Sequence, residues 1–431
     1  MDTTVKESIV LKSTPSFTGP LIIIGALFFI FGFVTWMSAV LIPYLQIACE
    51  LNNFQSYLVA FAFYISYFVM GVPSGWLLKK TGFKNGLSVG LVLVAAGSLL
   101  FVPAAVYRFY PLFLLGLFVQ GAGLTVLQTA SNPYVAILGP KESAARRISF
   151  MGICNGIAGA MAPVILGAVI LNDADDLKNR LTLLNPFQKA QELNGLAAKV
   201  IVPYLIITGI LVVLSIIIRF SKLPEVNEED SNEEDAGLEQ QAKTSIFQFP
   251  HLLLGVLILF LYTGVEVIAG NSIIGYGAFQ GIPLSVAKFF TSFTLISMLV
   301  GYLIGIICIP RFFSQETALK SSAVLGVLFA IIAIFSNGVV SVVFVALLGL
   351  ANSLMWPSIW PLAIAGLGRF TKMGSSLLVM AISGAALLPL LYGYVTDHAN
   401  PQQAYWIVVP CYIAIGYYAI SGHKAGKKTN K

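Results

Sequence analysis

Twelve separate apolar runs of about twenty residues or more dominate this chain, and a helix of that length crosses about 30 Å of hydrocarbon. In lipid the backbone must satisfy its own hydrogen bonds, so continuous apolar runs of this length predict helices rather than an open sheet. The runs lie near 21–44, 54–78, 86–107, 110–136, 148–171, 200–220, 250–275, 286–309, 317–336, 339–364, 374–395 and 402–421. The composition agrees: 57% of the 431 residues are hydrophobic and 10% charged, against about a quarter charged in soluble domains. The expectation is an all-α membrane protein of twelve transmembrane helices.

The runs divide six and six. An acidic polar stretch, with Glu228, Glu229, Asp230, Glu233, Glu234 and Asp235, separates a bundle at 1–220 from one at 250–431, and 221–249 reads as a solvated cytoplasmic linker. The connection 172–199 reads as a mixed-charge, partly helical loop on the other side. All but six of the 25 Lys and Arg residues then fall on one side, the exceptions being Arg108, Lys178, Arg180, Lys189, Lys199 and Lys288. The positive-inside rule therefore places both termini in the cytoplasm. Faint self-similarity links the halves: Asn132-Pro133 to Leu138-Gly139 parallels Trp360-Pro361 to Leu367-Gly368, and Pro163 to Gly167 parallels Pro389 to Gly393.

Several function classes lose support. The formal charge of +6 sits in short loops and tails rather than on a helix stripe, which argues against nucleic-acid binding. Cys49, Cys154, Cys308 and Cys411 are scattered without a CxxC, so no metal site is expected. No phosphate-binding glycine loop is present, and His251, His398 and His423 are isolated. The chain reads as a non-enzyme without a cofactor. No apolar core of signal-peptide length precedes the first span.

Glu266, in the run 252–274, is the one acid deep in a span. A charge at the bilayer centre costs on the order of 2.5–3.5 kcal/mol by insertion scales, so such groups mark ion and substrate pathways. Tyr262 precedes it by one turn, with Asn271 further along. Other polar groups share helical faces: Thr125, Gln128 and Asn132 in the fourth span, and Asn352, Trp356 and Trp360 at i+4 steps in the tenth. Asn155 lies among Gly152, Gly156 and Gly159, and Thr35, Trp36 and Ser38 lie in the first span. Amides, hydroxyls, a carboxylate and aromatic faces are what a sugar site needs. Each group also has a packing alternative, a helix-to-helix hydrogen bond or a filled gap beside a Pro kink.

The loop Gly75-Trp-Leu-Leu-Lys79-Lys80-Thr-Gly82-Phe-Lys84-Asn85, with Gly305 and Arg311 in the second half, resembles the major facilitator superfamily, although Lys79 stands where that superfamily usually carries an acid. Phe31 to Trp36, Leu41 to Pro43, Asn53 to Gln55, Ala62 to Tyr64, Leu127 to Tyr134, Leu138 to Pro140 and Lys372 to Ser376 resemble the fucose:proton symporter family. The resemblance implies two pseudo-symmetric six-helix bundles and uptake of a monosaccharide with protons or sodium. Aligned on these motifs, the family's first-helix Asn-Asp pair falls on Ser38 and Ala39, and its fourth-helix glutamate on Gln128. Glu266 is then the remaining buried acid that can titrate or hold a cation.

The expected substrate site comprises Gln128, Asn132, Asn155, Glu266, Asn271, Asn352, Trp356, Trp36, Thr35, Ser38, Tyr262 and Trp360, with Glu266 also coupling H+ or Na+. Lys79, Lys80, Arg146 and Arg147 are expected at a cytoplasmic gate, and the glycine pairs Gly71/Gly75, Gly86/Gly90, Gly152/Gly156 and Gly301/Gly305 at close helix contacts. The reading is a hexose symporter acting as a monomer in a bacterial inner membrane. An uncoupled facilitator and a non-transporting sugar sensor are the alternatives.

Overall fold

Twelve membrane-length helices form in the computed structural model, which describes residues 18–137, 144–172, 174–221, 223, 245–309 and 312–426. They are α1 (Leu21–Ala48), α2 (Asn53–Thr81), α3 (Phe83–Val106), α4 (Tyr110–Ser131), α5 (Phe150–Ile170), α6 (Ile201–Phe220), α7 (Pro250–Phe279), α8 (Leu284–Cys308), α9 (Gln315–Phe335), α10 (Gly338–Ile364), α11 (Met373–His398) and α12 (Pro401–Ile420). The expected spans all appear, several a turn longer. Most of the acidic stretch lies outside the described residues.

Local chemistry sets several helix ends. Asn52 and Gln55 form a reciprocal capping box at the start of α2. The loop 172–199 contains two helices, Ala174–Leu181 and Pro186–Ala198, and the second begins with a capping box of Asn185 and Gln188 followed by a proline at the helix start. Several spans are interrupted, among them α1 at Met37, α3 at Leu100, α8 at Lys288 and Phe289, α10 at Leu354 and α11 near Ile382. Broken helices at membrane depth are tolerated where protein, not lipid, surrounds them, and in transporters they flank binding sites.

Packing repeats with a shift of six spans. Within the first half α1 packs on α5, α2 on α4, α3 on α4 and α3 on α6; within the second, α7 packs on α11, α8 on α10, α9 on α10 and α9 on α12. Two seams join the halves, α2 against α11 and α5 against α8, and they too exchange under the same shift. This is the architecture of duplicated six-helix bundles about an axis along the membrane normal.

The glycine pairs divide between these contacts. Gly86 and Gly90 pack against Leu78 and Leu127 inside the first half, and Gly301 and Gly305 against Ser353 and Leu354 inside the second. Gly71 and Gly156 meet Met380 and Leu299 across the two seams, while Gly75 and Gly152, one turn further on, have open space where a Cβ would stand. At the opposite end Asp397 of α11 binds Asn53 and Phe54 of α2. The hydrogen bonds that join the halves with both partners among the described residues all lie from the level of Ser38 and Ala160 towards this Asp397 end. Among the described residues the hydrogen bonds between the bundles thus gather at one end, and at the other Gly75 and Gly152 face open space.

Candidate functional site

Near the middle of α7, Tyr262 and Glu266 stand one turn apart, and the Tyr262 hydroxyl donates to Glu266 Oε1 at 2.7 Å. The i, i+4 spacing predicts this pairing, and the tyrosine is fully buried while the glutamate is partly exposed. Among the described residues no basic side chain forms an ion pair with Glu266. Its surroundings are phenolic: Tyr64 of α2, Tyr302 of α8 and Tyr412 of α12 lie within electrostatic reach of the carboxylate. Gly270, one turn along the same face of α7, abuts Trp36 of the first half, so the acid faces the space between the bundles.

Aromatic surface lines the same region. The Trp356 ring lies 6.4 Å from that of Tyr262, and Trp356 and Trp360 stack at 5.3 Å with an interplanar angle of 28°. Both indoles are partly exposed. From the first half Gln128 donates Nε2 to the Tyr67 hydroxyl at 3.0 Å, and Tyr67 stacks with Tyr64 at 6.2 Å. A carboxylate and an amide each keep free lone pairs or N–H groups after these bonds, beside flat apolar rings. Such a set can hold a polyhydroxylated ring by its hydroxyls and its C–H face.

Three expected groups are committed to bonds between helices. Asn352 is fully buried, accepts from the Tyr412 hydroxyl at 2.9 Å and leaves its Nδ2 without an acceptor. The helix is interrupted at Leu354, between Asn352 and the two indoles. Asn271 donates Nδ2 to Ser38 Oγ at 3.2 Å, and Ser38 in turn donates to the Thr35 carbonyl at 2.9 Å. These residues bridge the bundles one turn and more beyond Glu266, rather than standing free. Thr125 likewise returns its hydroxyl to the Gly121 carbonyl.

Trp36 is a plug between the halves. Its indole lies against Gly159 of α5 and Gly270 of α7 so closely that a Cβ at either glycine would meet the ring. Leu295 and Met298 of α8 complete its pocket, with Tyr302 beside them. Asn155 is partly exposed and donates to the Phe28 carbonyl of α1 at 3.2 Å. The side chains of Asn132, Arg146 and Arg147 lie outside the described residues. Lys79 and Lys80 are exposed at the end opposite Asp397, with Lys80 Nζ over the Trp76 ring at 5.6 Å.

Tyr64, Tyr67, Tyr302 and Tyr412 stand around the candidate site, and sequence reasoning did not single them out. Hydroxyls in lipid need partners, and Tyr64 and Tyr67 at i, i+3 in α2 carried that signal. Two concavities lie away from Glu266. One of about 1110 Å³ sits in the loop between α5 and α6, beside Asp176, Arg180, Glu192 and Lys199. The other, about 610 Å³, opens between the halves above Asn271, with Gln46, Glu50, Asn53, Tyr57, Tyr276 and Thr396 in its walls. The Trp36 and Ser38–Asn271 contacts lie between this vestibule and the acid.

The family described as Major Facilitator Superfamily matches residues 24–381. A glucose/galactose transporter of Brucella abortus biovar 1 (strain 9-941) is 35% identical over 402 residues, 93% of each chain. An L-fucose-proton symporter of Escherichia coli (strain K12) is 32% identical over 410 residues, covering 94% of this chain and 93% of the relative. Among solved structures, the transporter FucP in its outward conformation aligns with a TM-score of 0.72 and 30% identity over 94% of this chain and 99% of that one. A D-xylose-proton symporter, at 14% identity and a TM-score of 0.69, shares the fold.

Proposed function

This chain belongs to the major facilitator superfamily, and from that premise we propose that it imports a monosaccharide of the hexose class by alternating access, coupled to H+ or Na+ through Glu266. The observation that carries the reading is the Glu266 carboxylate between the halves, held by Tyr262 at 2.7 Å and flanked by the Trp356 ring. Similarity to a glucose/galactose transporter and an L-fucose-proton symporter supports the substrate class.

In this reading Glu266, Gln128 and Asn155 bond sugar hydroxyls, Trp356 covers a C–H face with Trp360 behind it, and Tyr64 and Tyr67 close the first-half wall. Asn132, four residues after Gln128 in the sequence, belongs to the set in this proposal. Asn271, Ser38, Thr35 and Trp36 close the path on the vestibule side, and Asn352 fixes Tyr412. The loops at the Lys79 end, rich in Lys and Arg, support placing that end and both termini in the cytoplasm of a bacterial inner membrane. The halves, 1–220 and 250–431, are joined there by the acidic stretch 221–249, and the chain works as a monomer. With that orientation the structure is closed to the outside, and Lys79, Lys80, Arg146 and Arg147 bond across the inner face in the opposite state.

A second reading is an uncoupled facilitator, favoured by the neutral Gln128 and Ser38 at positions where the resembled symporters carry or neighbour acids. Uptake of radiolabelled glucose, galactose and fucose into proteoliposomes, with imposed sodium or proton gradients, separates the two. Accumulation above the external concentration with either gradient supports symport, equilibration alone supports a facilitator, and no entry of any hexose would overturn both.

A further inference from the structure

Two acids far from the central site occupy matching places in the two halves. Asp175, just after α5, accepts from the backbone N–H groups of Leu284 at 2.9 Å and Ser285 at 2.8 Å, in the first turn of α8. Asp397, in the last turn of α11, accepts from the backbone N–H groups of Asn53 at 3.0 Å and Phe54 at 2.7 Å, in the first turn of α2. In each case one oxygen takes one N–H and the other oxygen takes the next. The six-span shift that exchanges α5 with α11 and α8 with α2 turns one arrangement into the other. Neighbouring side chains reinforce both: Asn53 Nδ2 donates to Asp397 Oδ1 at 2.8 Å, and Lys288 Nζ donates to Asn172 Oδ1 at 3.0 Å.

The first N–H groups of a helix lack partners within it; at Asn53–Thr81 the Asp397 carboxylate also meets the positive end of a long helix's dipole, while Asp175 meets the short turn Leu284–Ala287 and relies on the N–H bonds themselves. Hydrogen bonds to an ionised acceptor are stronger than neutral ones. Each of these bonds crosses from one bundle to the other, so it exists only while the bundles are together at this end. An interaction made in one state and absent from the other shifts the equilibrium by its full worth.

We propose that Asp175 and Asp397 are a pair of pseudo-symmetric latches, positioning residues of the transport cycle that hold the vestibule end shut and must both release before it opens. The inference rests on the alternating-access reading above. The two seams part together because the bundles move as bodies, so the two latches act on one equilibrium from opposite edges.

The test is pulsed electron paramagnetic resonance on the full chain, with the four native cysteines replaced by alanine. Spin labels at Tyr107 and Asn337 report the vestibule end, and labels at Phe220 and Thr317 the other. Asp175→Asn and Asp397→Asn are each expected to raise the long-distance population at the vestibule end relative to the short one by roughly fivefold, and the double variant by about the product of the two. The pair at the other end should shorten in step. Ser285→Pro, which deletes one of the donors while leaving both acids, should reproduce the Asp175→Asn shift. Asp176→Asn, next door and exposed, should change nothing. Unchanged distances in the double variant and in Ser285→Pro would overturn the latches. The distances are read without sugar, so a shift in a protein that moves no hexose would sink the transport reading and leave the latches standing.

Discussion

Tyr262 donates its hydroxyl to Glu266 across one turn of α7, at 2.7 Å, and no cation stands beside the pair among the described residues. A carboxylate held by a phenol rather than by a Lys or Arg can accept a proton or a metal cation without first breaking an ion pair. It also keeps acceptor capacity on its second oxygen. That arrangement lets one residue take part in both sugar binding and ion coupling.

Tyr262→Phe removes the donor and keeps the ring. A hydrogen bond to a charged group is worth about 1.5–3 kcal/mol, so sugar affinity is expected to fall by roughly tenfold or more while the protein stays folded. Counterflow with radiolabelled hexose in proteoliposomes measures it. Unchanged affinity together with unchanged ion dependence would mean that the Tyr262 hydroxyl only fills space.

Trp356 presents its face beside Tyr262 with Trp360 stacked behind. Trp356→Ala is expected to weaken sugar binding by about tenfold and Trp356→Phe by much less, since stacking geometry contributes about 0.5–1.5 kcal/mol beyond burial. Gradient-driven accumulation at saturating sugar should survive in both. Binding isotherms from quenching of intrinsic tryptophan fluorescence check the affinity, and an equal loss in both variants would point to a packing defect.

Gly270 has room for no Cβ beneath the Trp36 ring. Overpacking of this kind costs about 1–3 kcal/mol, and here the cost falls on the state in which α1 and α7 are closed together. Gly270→Ala should slow transport and open the vestibule end, and Trp36→Ala in the same chain should restore closure. The spin-label pair at Tyr107 and Asn337 reads this directly. Failure of Trp36→Ala to reverse the opening would place the fault elsewhere in α7.

The twelve spans and the six-and-six division were legible because lipid allows little besides continuous apolar helices. The Tyr262–Glu266 bond and the Trp356–Trp360 stack were legible for a similar reason, since i+4 spacing within one helix is enough to bring the side chains together. The bond of Asn352 to Tyr412 was not legible, because it depends on where α12 places Tyr412. Tyr64 and Tyr302 were missed because their nearness to Glu266 depends on where α2 and α8 stand relative to α7. Spacing along one helix carries no record of that. The bonds of Asp175 and Asp397 escaped for the same reason: an acid in a loop reads as solvated until the partner helix end is seen.

The most direct measurement is sugar uptake by Glu266→Gln beside the wild type, in proteoliposomes with sodium and proton gradients imposed in turn, together with counterflow without a gradient. Gln keeps the size and one acceptor oxygen but neither binds a coupling proton nor carries charge. The expected result is gradient-driven accumulation in the wild type and none in Glu266→Gln, with counterflow retained at reduced affinity. Accumulation undiminished in Glu266→Gln would contradict the account, because coupling would then run through a different group.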